Sequence, residues 1–439
     1  MKILIITPYF PYPLNSGGSN AQYLMIDYLR TKMDITMVCS YATQSNIDIL
    51  KAKWPNVEIH IIDKFAETYI PPQISKSKQF KRYVKSKSKI IRFILKSILG
   101  KNSNVKAVSV NNVISADSIF PDKQRMQFTQ LRFDLEKNLV DFVIELTQKS
   151  KFDIIQTEFI NLLSLGMVLP IDVKKVFIHH EIGFIRTERE QNTLKLLKPY
   201  DIYLSKLLKK QEIDFLHYYD SIITFSDTDK AVLSNYIDNE KIIKSQFAVK
   251  QNKVLEQNSF QLQNLLYLGG ENHYPNKDAF EWFVSDVYPL INQEFTNLKF
   301  KIIGDWSQTS IIKHQPNSNI EFLGYVDDLY SAVKNCVLVV PLRIGSGIRA
   351  KILDAFSLGI PLISSSIGIE GIPAVNGVHY LKADTSEEYI SALNKLTKKP
   401  GLALQLAQNA QNDILPQFSI QNCGELRFQS YLKILNQNA

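Results

Sequence analysis

The amino-acid sequence predicts an α/β protein made of two doubly wound, Rossmann-like halves that face each other across a cleft. Short apolar runs alternate with amphipathic stretches in both halves, a polar stretch at about 238–263 interrupts the alternation, and the same rhythm then restarts. Parallel sheets covered by helices on both faces produce this alternation. The 439 residues are also enough to bury two hydrophobic cores.

Short apolar runs predict the strands of the N-terminal half, and the amphipathic stretches between them predict its helices. The predicted strands are 2–6, 35–39, 57–62, 152–156, 175–179 and 221–225, and the clearest predicted helices are 20–30 and 125–149. Because strands and helices alternate, we expect one parallel sheet with right-handed crossovers.

The C-terminal half repeats this pattern. Its predicted strands are 265–270, 298–304, 320–324, 337–341 and 361–365, and its predicted helices are 278–290, 329–334, 348–357 and 422–435. We expect three parts: a domain at 1–245 with a basic insertion at about 70–110, a second domain at 262–415, and a segment at 416–439 that packs back on the first. Ligands of doubly wound folds bind outside the carboxyl ends of the strands, which here means the cleft.

Composition excludes several classes of protein. Hydrophobic and charged residues make up 45% and 21% of the chain, which excludes disordered and collagen-like proteins. The cysteines Cys39, Cys336 and Cys423 form no CxxC pair, so we expect no zinc ribbon, iron–sulfur cluster or disulfide framework, and a reducing compartment fits. The apolar run before Pro8 is too short for a signal peptide, and no later run approaches a membrane span. We therefore expect a cytoplasmic protein.

One segment makes the protein basic. Of the 51 basic residues in the chain, eleven lie in residues 76–106, which hold no Asp or Glu, and the 40 others are balanced by 43 acidic residues. Apolar residues recur in this segment at roughly helical spacing, which favours a peripheral helix on anionic lipid at the inner face of the membrane. The alternative is an insertion that packs on its own domain. We expect no nucleic-acid binding, because the aromatic residues do not interleave with the charges.

The segment 341–356 predicts an anion-binding turn. A strand ends at Pro341, the glycines Gly345 and Gly347 form a turn, and a helix opens near Ile348. The free N–H groups at the beginning of such a helix face the turn and favour phosphate. An ordinary strand–turn–helix unit is the alternative.

Four side chains of the same segment extend this prediction. Arg343, Arg349 and Lys351 can add charge-assisted hydrogen bonds to phosphate oxygens. Asp354, about two turns into the predicted helix, suits a ribose diol better than a phosphate. The alternative is a solvated basic face on an ordinary helix.

Three segments carry a family resemblance. The first is Pro-Leu-Arg-x-Gly-x-Gly-x-Arg-x-Lys-Ile-Leu-Asp-Ala-Phe-x-x-Gly-Ile-Pro-Leu-Ile at 341–363, the second His-Tyr-Pro-Asn-Lys-Asp-Ala-Phe-Glu-Trp-Phe at 273–283, and the third the glycine loop at 8–18. They resemble motifs of the family-4 (group 1) glycosyltransferases, which have the GT-B fold. The resemblance implies transfer of a sugar from a nucleotide diphosphate sugar to an acceptor, with retention at the anomeric carbon and without a metal. It also implies an acceptor-binding N-terminal domain and a donor-binding C-terminal domain.

The resemblance assigns two acids around the donor. Asp354 matches the acid that binds the nucleotide ribose. Ser346 stands where the family has an acid that contacts the sugar, so we expect its hydroxyl, neighbouring N–H groups and Glu370 to substitute. The backbone contributors at this turn are Gly345, Ser346, Gly347 and Ile348, and those at the base are Gly324, Tyr325 and Val326.

The family has two basic residues that neutralise the diphosphate, and this sequence matches only one of them. Lys277 matches in type, whereas Glu271 stands at the other position. We therefore assign the neutralisation of the leaving diphosphate to Arg343, Arg349 and Lys351 together with Lys277, because developing negative charge needs stabilisation.

The N-terminal half contributes a histidine and two glycines. The strand 175–179 leads into His179 and His180, which resemble the family's segment whose histidine lies over the donor sugar. We expect His180 to contact the sugar; a strand cap or core hydrogen bond is the alternative for either histidine. Gly17 and Gly18 would let the backbone approach the diphosphate, with a plain turn as the alternative. His180, Lys351 and Arg343 are the expected catalytic residues.

Motifs of other enzyme classes do not match. The chain has no GxGxxG with a following acid after its first strand, no GxxxxGK[ST], no HExxH and no GxSxG. We therefore expect a retaining hexosyltransferase of polysaccharide biosynthesis that uses a UDP- or GDP-type sugar donor, needs no cofactor, and acts on a glycan or lipid-linked acceptor. A non-catalytic nucleotide-sugar-binding or scaffold protein and a same-fold nucleotide-sugar 2-epimerase are the alternatives.

Overall fold

The computed structural model describes residues 1–14, 17–65, 134–251, 260–314, 319–326, 329–399 and 401–436. The basic segment 76–106, for which the sequence predicts membrane contact, lies outside the described residues. The beginning of the predicted helix 125–149 lies outside them as well.

A seven-stranded sheet organises the N-terminal half. Its strands are β1 (Lys2–Thr7), β2 (Asp34–Thr43), β3 (Val57–Phe65), β4 (Ile154–Glu158), β5 (Lys174–His179), β6 (Ser221–Thr224) and β7 (Ile242–Lys244). They lie in the order β3-β2-β1-β4-β5-β6-β7, and the pairings from β2 to β7 are parallel. The helices are α1 (Gly17–Leu29), α2 (Gln44–Lys53), α3 (Lys137–Lys149), α4 (Gly183–Thr193), α5 (Pro199–Leu216) and α6 (Asp227–Leu233), with short 3₁₀ helices at Ile160–Met167 and Asn239–Lys241.

A six-stranded parallel sheet organises the C-terminal half. Its strands are β8 (Asn264–Leu268), β9 (Lys299–Ile303), β10 (Ile320–Gly324), β11 (Cys336–Val340), β12 (Leu362–Ser364) and β13 (Leu381–Lys382). Their order is β10-β9-β8-β11-β12-β13. The helices are α7 (Tyr274–Trp282), α8 (Tyr288–Glu294), α9 (Gln308–His314), α10 (Leu329–Ala332), α11 (Ala350–Leu358), α12 (Ser366–Ile369), α13 (Ser386–Lys398), α14 (Leu402–Asn409) and α15 (Ile420–Asn436). A π turn at Phe283–Val287 joins α7 to α8, and a π turn at Ala410–Ile414 and a 3₁₀ helix at Leu415–Phe418 precede α15.

The two sheets confirm the predicted fold class. The strand order reverses between β1 and β4 in the first sheet and between β8 and β11 in the second. Such reversals open a crevice at the carboxyl ends of the strands, where ligands of doubly wound folds bind. The loops that follow these four strands therefore border the crevice.

Two short strands lie outside the predicted ones. β7 falls inside the stretch that the sequence predicts as a polar linker, and its Ile242 and Ile243 pair with Ile222 and Ile223 of β6. β13 follows the strand that we expect to be the last, and it pairs with β12. Both strands lie at a sheet edge and have only two or three residues, so they are too short to produce an alternation in the sequence.

One cluster of buried apolar side chains joins the two halves. It contains Ile5 and Met25 from the first half and Leu353, Phe356 and Tyr431 from the second half and the last helix. Because interiors are close-packed, such a shared cluster holds elements of both halves in register. Strands near the middle of the sheets, such as β1, β4, β8 and β11, are almost entirely buried, as expected of sheets covered on both faces, whereas β9 and β10 are only partly buried.

The last helix, α15, packs on α1 of the N-terminal half. A β-carbon on Gly424 would collide with the ring of Tyr28, so a glycine is needed for this close contact. Arg427 donates from Nε to the Ser245 hydroxyl at 2.9 Å and from Nη2 to the Ser245 carbonyl oxygen at 2.7 Å. Within the described ranges, no helix combines the length and the hydropathy that spanning a bilayer requires.

Candidate active site

A glycine turn between β11 and α11 touches the N-terminal half. Gly345 and Gly347 both have a positive φ, +132° and +77°. A β-carbon on Gly347 would lie 2.5 Å from the carbonyl oxygen of His180. The approach of the two halves at this point therefore requires a glycine.

The beginning of α11 differs from the prediction. The helix begins at Ala350 rather than near Ile348, because Gly347 is in the left-handed region and Arg349 has an extended backbone. The side chain of Ile348 instead lies 3.1 Å from the position that a β-carbon on Gly371 would take. The glycine turn is thus two residues longer than the sequence predicts.

The beginnings of α1 and α11 meet across the cleft. Gly17 is the first residue of α1, and a β-carbon on it would lie 2.5 Å from the β-carbon of Ala350. A β-carbon on Gly18 would have no described atom within 4 Å. Each helix beginning carries unpaired N–H groups and about half a positive elementary charge. Their meeting point therefore favours an anion such as a diphosphate.

Lys351 lies in the first turn of α11. Its Nζ donates to the carbonyl oxygen of Leu268 and, at 2.8 Å, to Oδ1 of Asn276. Burial, together with the charge of Arg349, lowers the pKa of the Lys351 ammonium from 10.5 to about 7. A nearby anion would oppose this shift, because it stabilises the charged form.

Asp354 lies about one turn into α11 rather than the predicted two, because the helix begins at Ala350. Burial raises the pKa of its carboxyl from 3.8 to about 6. Within the described part of the chain, this carboxylate has no hydrogen bond or ion pair. Burial without a partner is unfavourable for a carboxylate, so Asp354 is suited to accept hydrogen bonds from a ligand's hydroxyl groups.

Ser346 and Glu370, which the sequence analysis expects to contact the donor sugar, form contacts between the two halves. Arg189 of α4 donates to both carboxylate oxygens of Glu370 at 2.6 Å and to the carbonyl oxygen of Gly345 at 2.6 Å. The Ser346 hydroxyl donates to the carbonyl oxygen of Ile182 at 2.9 Å. Both residues therefore join the halves, because Glu370 lies opposite the guanidinium of Arg189 and Ser346 lies opposite the carbonyl group of Ile182.

Arg349 stabilises the glycine turn. Its Nη1 donates to the carbonyl oxygen of Ser346 and, at 2.7 Å, to that of Gly347. Burial lowers the pKa of its guanidinium, and the carboxylates of Glu181 and Glu370 act in the opposite direction. Through these bonds Arg349 stabilises the conformation of the glycine turn. The sequence analysis expects the same side chain to bind a phosphate.

Two other predicted phosphate-binding side chains are engaged in ion pairs. Arg343 donates from Nε at 3.1 Å and from Nη2 at 2.6 Å to the two carboxylate oxygens of Asp278. Lys277 donates from Nζ to Oε1 of Glu271 at 2.7 Å. A cation that is paired with a carboxylate attracts a further anion only weakly. To bind a diphosphate as predicted, Arg343 and Lys277 would each have to leave the protein carboxylate for a phosphate.

The predicted base-binding loop follows β10. Gly324 has a φ of +66°, and the side chain of Tyr325 is 73% exposed. Val326 is the last described residue before a gap at 327–328. An exposed aromatic ring at this position is available to stack on a base.

His180 lies at the carboxyl end of the N-terminal sheet, held by two neighbours. Its Nε2 is 3.0 Å from Oε2 of Glu158, and its ring stacks on Phe159 with centroids 3.8 Å apart and planes at 12°. Phe159 has a φ of +67°, an uncommon conformation for a residue with a side chain. Backbone strain of this kind is found where a side chain must be held in position.

The sequence analysis missed Glu158. Besides His180, it accepts hydrogen bonds from Gln22 at 3.1 Å and from Gln156 at 2.6 Å. Tyr431 of α15 donates in turn to Gln156. The position of Glu158 at the end of β4 could have indicated this role, because β4 lies beside β5, the strand that leads into His180.

The two other histidines near the cleft differ in environment. His179 is buried inside the N-terminal half, with Nε2 3.0 Å from Oε1 of Glu212, so it is placed as a core residue. His273, which the sequence analysis left without a role, has a pKa lowered from 6.5 to about 4 by burial and by the charge of Arg186. Its ring is therefore neutral at pH 7.

A family match identifies the C-terminal half. Residues 263–399 match the family Glycosyl transferases group 1. This part of the chain is similar to a group 1 glycosyltransferase domain. The match confirms the group 1 part of the resemblance that the sequence motifs carry, and the motif at 341–363 lies inside it. A domain of this family supports sugar transfer.

Solved structures of similar fold confirm the GT-B architecture of this glycosyltransferase domain and its N-terminal partner. Matches covering at least 98% of both chains include TarM (TM-score 0.65, 13% identity), sucrose-phosphate synthase from Thermosynechococcus elongatus (0.66, 13%) and Anabaena Alr3699/HepE in complex with UDP-glucose (0.59, 12%). At such identities the likeness shows the fold alone.

A curated relative matches a smaller part of the chain. An uncharacterized 44.6 kDa protein in the cps region of Klebsiella pneumoniae is 20% identical over 281 residues, which are 61% of this chain and 70% of that protein. Its identity is too low to assign an activity to the glycosyltransferase domain.

Replacing Arg189 with methionine should loosen the contact between the halves. The Arg189→Met change removes the pair with Glu370 and the bond to Gly345 while keeping an apolar side chain of similar length. We expect amide hydrogen exchange at 345–349 to become about tenfold faster or more, because protection reports local opening. The control is Glu188→Gln on the same helix as Arg189, which removes only a pair with Lys209 of α5. Unchanged exchange at the turn in Arg189→Met would contradict the assignment.

Proposed function

We propose that this protein is a retaining glycosyltransferase of the hexosyltransferase type, which transfers a sugar from a nucleotide diphosphate sugar to a glycan or lipid-linked acceptor in polysaccharide biosynthesis. The group 1 domain and the GT-B fold support sugar transfer. The specific proposal rests on the meeting of two helix beginnings, at Gly17 and Ala350, beside Lys351 and Asp354, whose carboxylate has no hydrogen bond or ion pair to the described residues. This arrangement joins a diphosphate site to a ribose site.

UDP is the nucleotide that we propose for the donor. A mutant of S. aureus TarM was solved in complex with Fondaparinux, alpha-GlcNAc-glycerol and UDP, and Anabaena HepE was solved with UDP-glucose. In this chain, Asp354 would accept from the ribose hydroxyls and Tyr325 would stack on the base.

The residues around the glycine turn would stabilise the leaving diphosphate. The N–H groups of Gly345, Ser346 and Gly347 and the first turn of α11 would bind its oxygens, and Lys351 would supply a full positive charge. Arg343 and Lys277 would join them after leaving their carboxylates. Such donors act strongly because they are fixed before the reaction begins.

The reaction would occur on one face of the sugar. The acceptor oxygen would form a bond to the anomeric carbon on the side from which the diphosphate leaves, and the acceptor proton would pass to the departing phosphate oxygen. His180 would contact the sugar from the N-terminal half. Closure of the cleft, with Arg189 on Glu370, would exclude water that could otherwise hydrolyse the donor.

Two alternative functions are distinguished by turnover. A nucleotide-sugar 2-epimerase converts the donor without an acceptor, and a non-catalytic binding protein converts nothing. A 2-epimerase needs paired carboxylates around the sugar. In this chain Ser346 stands where the family has its first acid, and its hydroxyl donates to the carbonyl oxygen of Ile182. The scaffold alternative predicts nucleotide binding without product.

Nucleotide binding tests the proposal most directly. We expect UDP to raise the thermal unfolding midpoint by a few degrees and GDP, ADP and TDP to raise it less. Binding at a hundredfold excess over Kd is worth about 2.7 kcal/mol. Asp354→Asn and Lys351→Ala should abolish the shift, and Lys395→Ala, an exposed change on α13, should keep it. If no nucleotide shifts the midpoint of folded protein, the donor site is wrong.

The affinity for UDP should fall as the pH rises above 7. In the empty site Lys351 loses its proton with a pKa of about 7, whereas the bound diphosphate favours the charged form. Binding must then be coupled to proton uptake, and Kd should increase by up to about tenfold per pH unit between pH 7 and 8.5. Asp354, with a pKa of about 6, stays ionised in this range. Lys351→Arg keeps its charge, so its Kd should be flat; a flat wild-type profile would refute the role of Lys351.

Glu158 should act as a positioning residue for His180. Glu158→Gln keeps the size of the side chain but removes the charge that faces the imidazole. We expect release of UDP from UDP-glucose or UDP-N-acetylglucosamine, whichever the protein turns over, to slow about tenfold to a hundredfold. The calorimetric Kd for UDP should stay within about twofold, and Glu145→Gln, an exposed change on α3, should alter neither. A loss of UDP affinity equal to the loss of turnover would instead indicate general damage to the fold.

A further inference from the structure

The tip of α5 exposes large apolar side chains. Leu197, Tyr200 and Tyr203 are 64%, 63% and 55% exposed, and the two tyrosine rings lie 6.0 Å apart. Single exposed apolar residues are normal on a protein surface, but adjacent ones that form a patch mark an interaction site. We define the α5 tip as residues 195–210.

The exposed face of this helix is sharply separated from its buried face. The buried residues of α5 are Ser205, Leu208, Glu212 and Leu216, which form a single stripe along the helix. At 100° per residue, Tyr200, Tyr203, Lys206 and Lys210 fall on the opposite side. The tyrosines and the lysines therefore share one outward face.

The α5 tip also carries a basic excess. Residues 195–210 contain five lysines and a single acid, Asp201, and two of these lysines are paired with acids outside the tip, Lys209 with Glu188 and Lys210 with Asp214. Tyrosines prefer the boundary between lipid chains and water, and lysines near an anionic bilayer each contribute about 1 kcal/mol of attraction. Exposed tyrosines beside lysines suit the boundary between lipid and water better than a protein core or a surface that contacts only water.

The position of the tip relates it to the cleft. α5 has 18 residues, so it is about 27 Å long, and it ends at Leu216 shortly before β6 begins. The strands β5 and β6 span at most about 20 Å, so the beginning of α5 reaches the carboxyl edge of the sheet. The preceding helix, α4, carries Arg189 to the glycine turn and ends at Thr193, two residues before the tip.

We propose that the α5 tip docks on the surface of an anionic lipid bilayer, with Leu197, Tyr200 and Tyr203 at the level of the headgroups and the lysines on lipid phosphates. Docking at this point brings the mouth of the cleft to the membrane. The inference uses the exposure and charge of the tip and is independent of the chemistry proposed for the cleft.

Vesicle sedimentation tests this surface. The full-length protein is mixed with vesicles of neutral phosphatidylcholine or of phosphatidylcholine with about one third phosphatidylglycerol, at low and at physiological salt. We expect binding to the anionic vesicles that weakens with salt. Tyr200→Ser/Tyr203→Ser and Lys206→Glu/Lys210→Glu should each reduce the partition coefficient at least about tenfold.

Matched variants make the comparison specific. Lys395→Glu/Lys398→Glu on α13 changes the net charge by the same amount on the other half, and Tyr218→Ser removes an exposed tyrosine at the far end of α5. Both controls should bind vesicles like the wild type. All variants keep residues 76–106, so a contribution of that segment is common to them. Unchanged thermal unfolding midpoints of the tip variants without ligand verify folding without reference to membranes.

Each other outcome overturns the proposal. Equal binding of tip variants and wild type places the contact elsewhere, for example in 76–106. Absence of vesicle binding by the wild type, or equal binding to neutral vesicles, excludes an anionic bilayer as the partner. A concentration-dependent dimer that the tyrosine changes abolish, without vesicle binding, assigns the tip to a second copy of this chain.

Discussion

The approach of the two helix beginnings across the cleft is the contact on which the rest of the site depends. Gly17 meets Ala350, and Gly347 meets the carbonyl oxygen of His180, at distances that leave no room for a β-carbon. Two partial positive charges repel each other in an empty site, so a structure that brings them together needs compensation. The Arg189 pair with Glu370 and the shared apolar cluster supply it, because both join the same two halves.

Burial sets the charge of the site before any ligand is present. Lys351, with a pKa of about 7, and Asp354, with a pKa of about 6, are both shifted toward their neutral forms, and each shift has desolvation as its largest cause. A fully charged, unpaired lysine at this position would be costly. At pH 7 the empty site therefore holds a largely ionised Asp354 and an only partly protonated Lys351, and an anion that binds there completes the protonation of Lys351.

The fold could be predicted from the sequence far better than the pairing of the site's side chains. Strand and helix periods are local, so the longer strands that the structure describes were all predicted, and of the described strands only β7 and β13 were missed. The glycine turn was predicted for the same reason. The partners of Arg343 and Lys277 could not be predicted, because Asp278 and Glu271 approach them only after folding. Glu158 was missed because its neighbour His180 is distant in sequence.

The serine at position 346 follows from the contact that closes the cleft. A carboxylate there would lie on the turn that Arg189 already binds through Gly345 and beside Glu370, whose charge the same guanidinium neutralises. The arginines at the turn, Arg189 and Arg349, already face Glu370 and Glu181, so a further acid at this position would add a desolvation cost to closure. The serine hydroxyl instead donates to Ile182 and adds a neutral bond between the halves. A neutral side chain at position 346 is therefore compatible with closure of the cleft, in which Glu370 carries the negative charge that Arg189 neutralises.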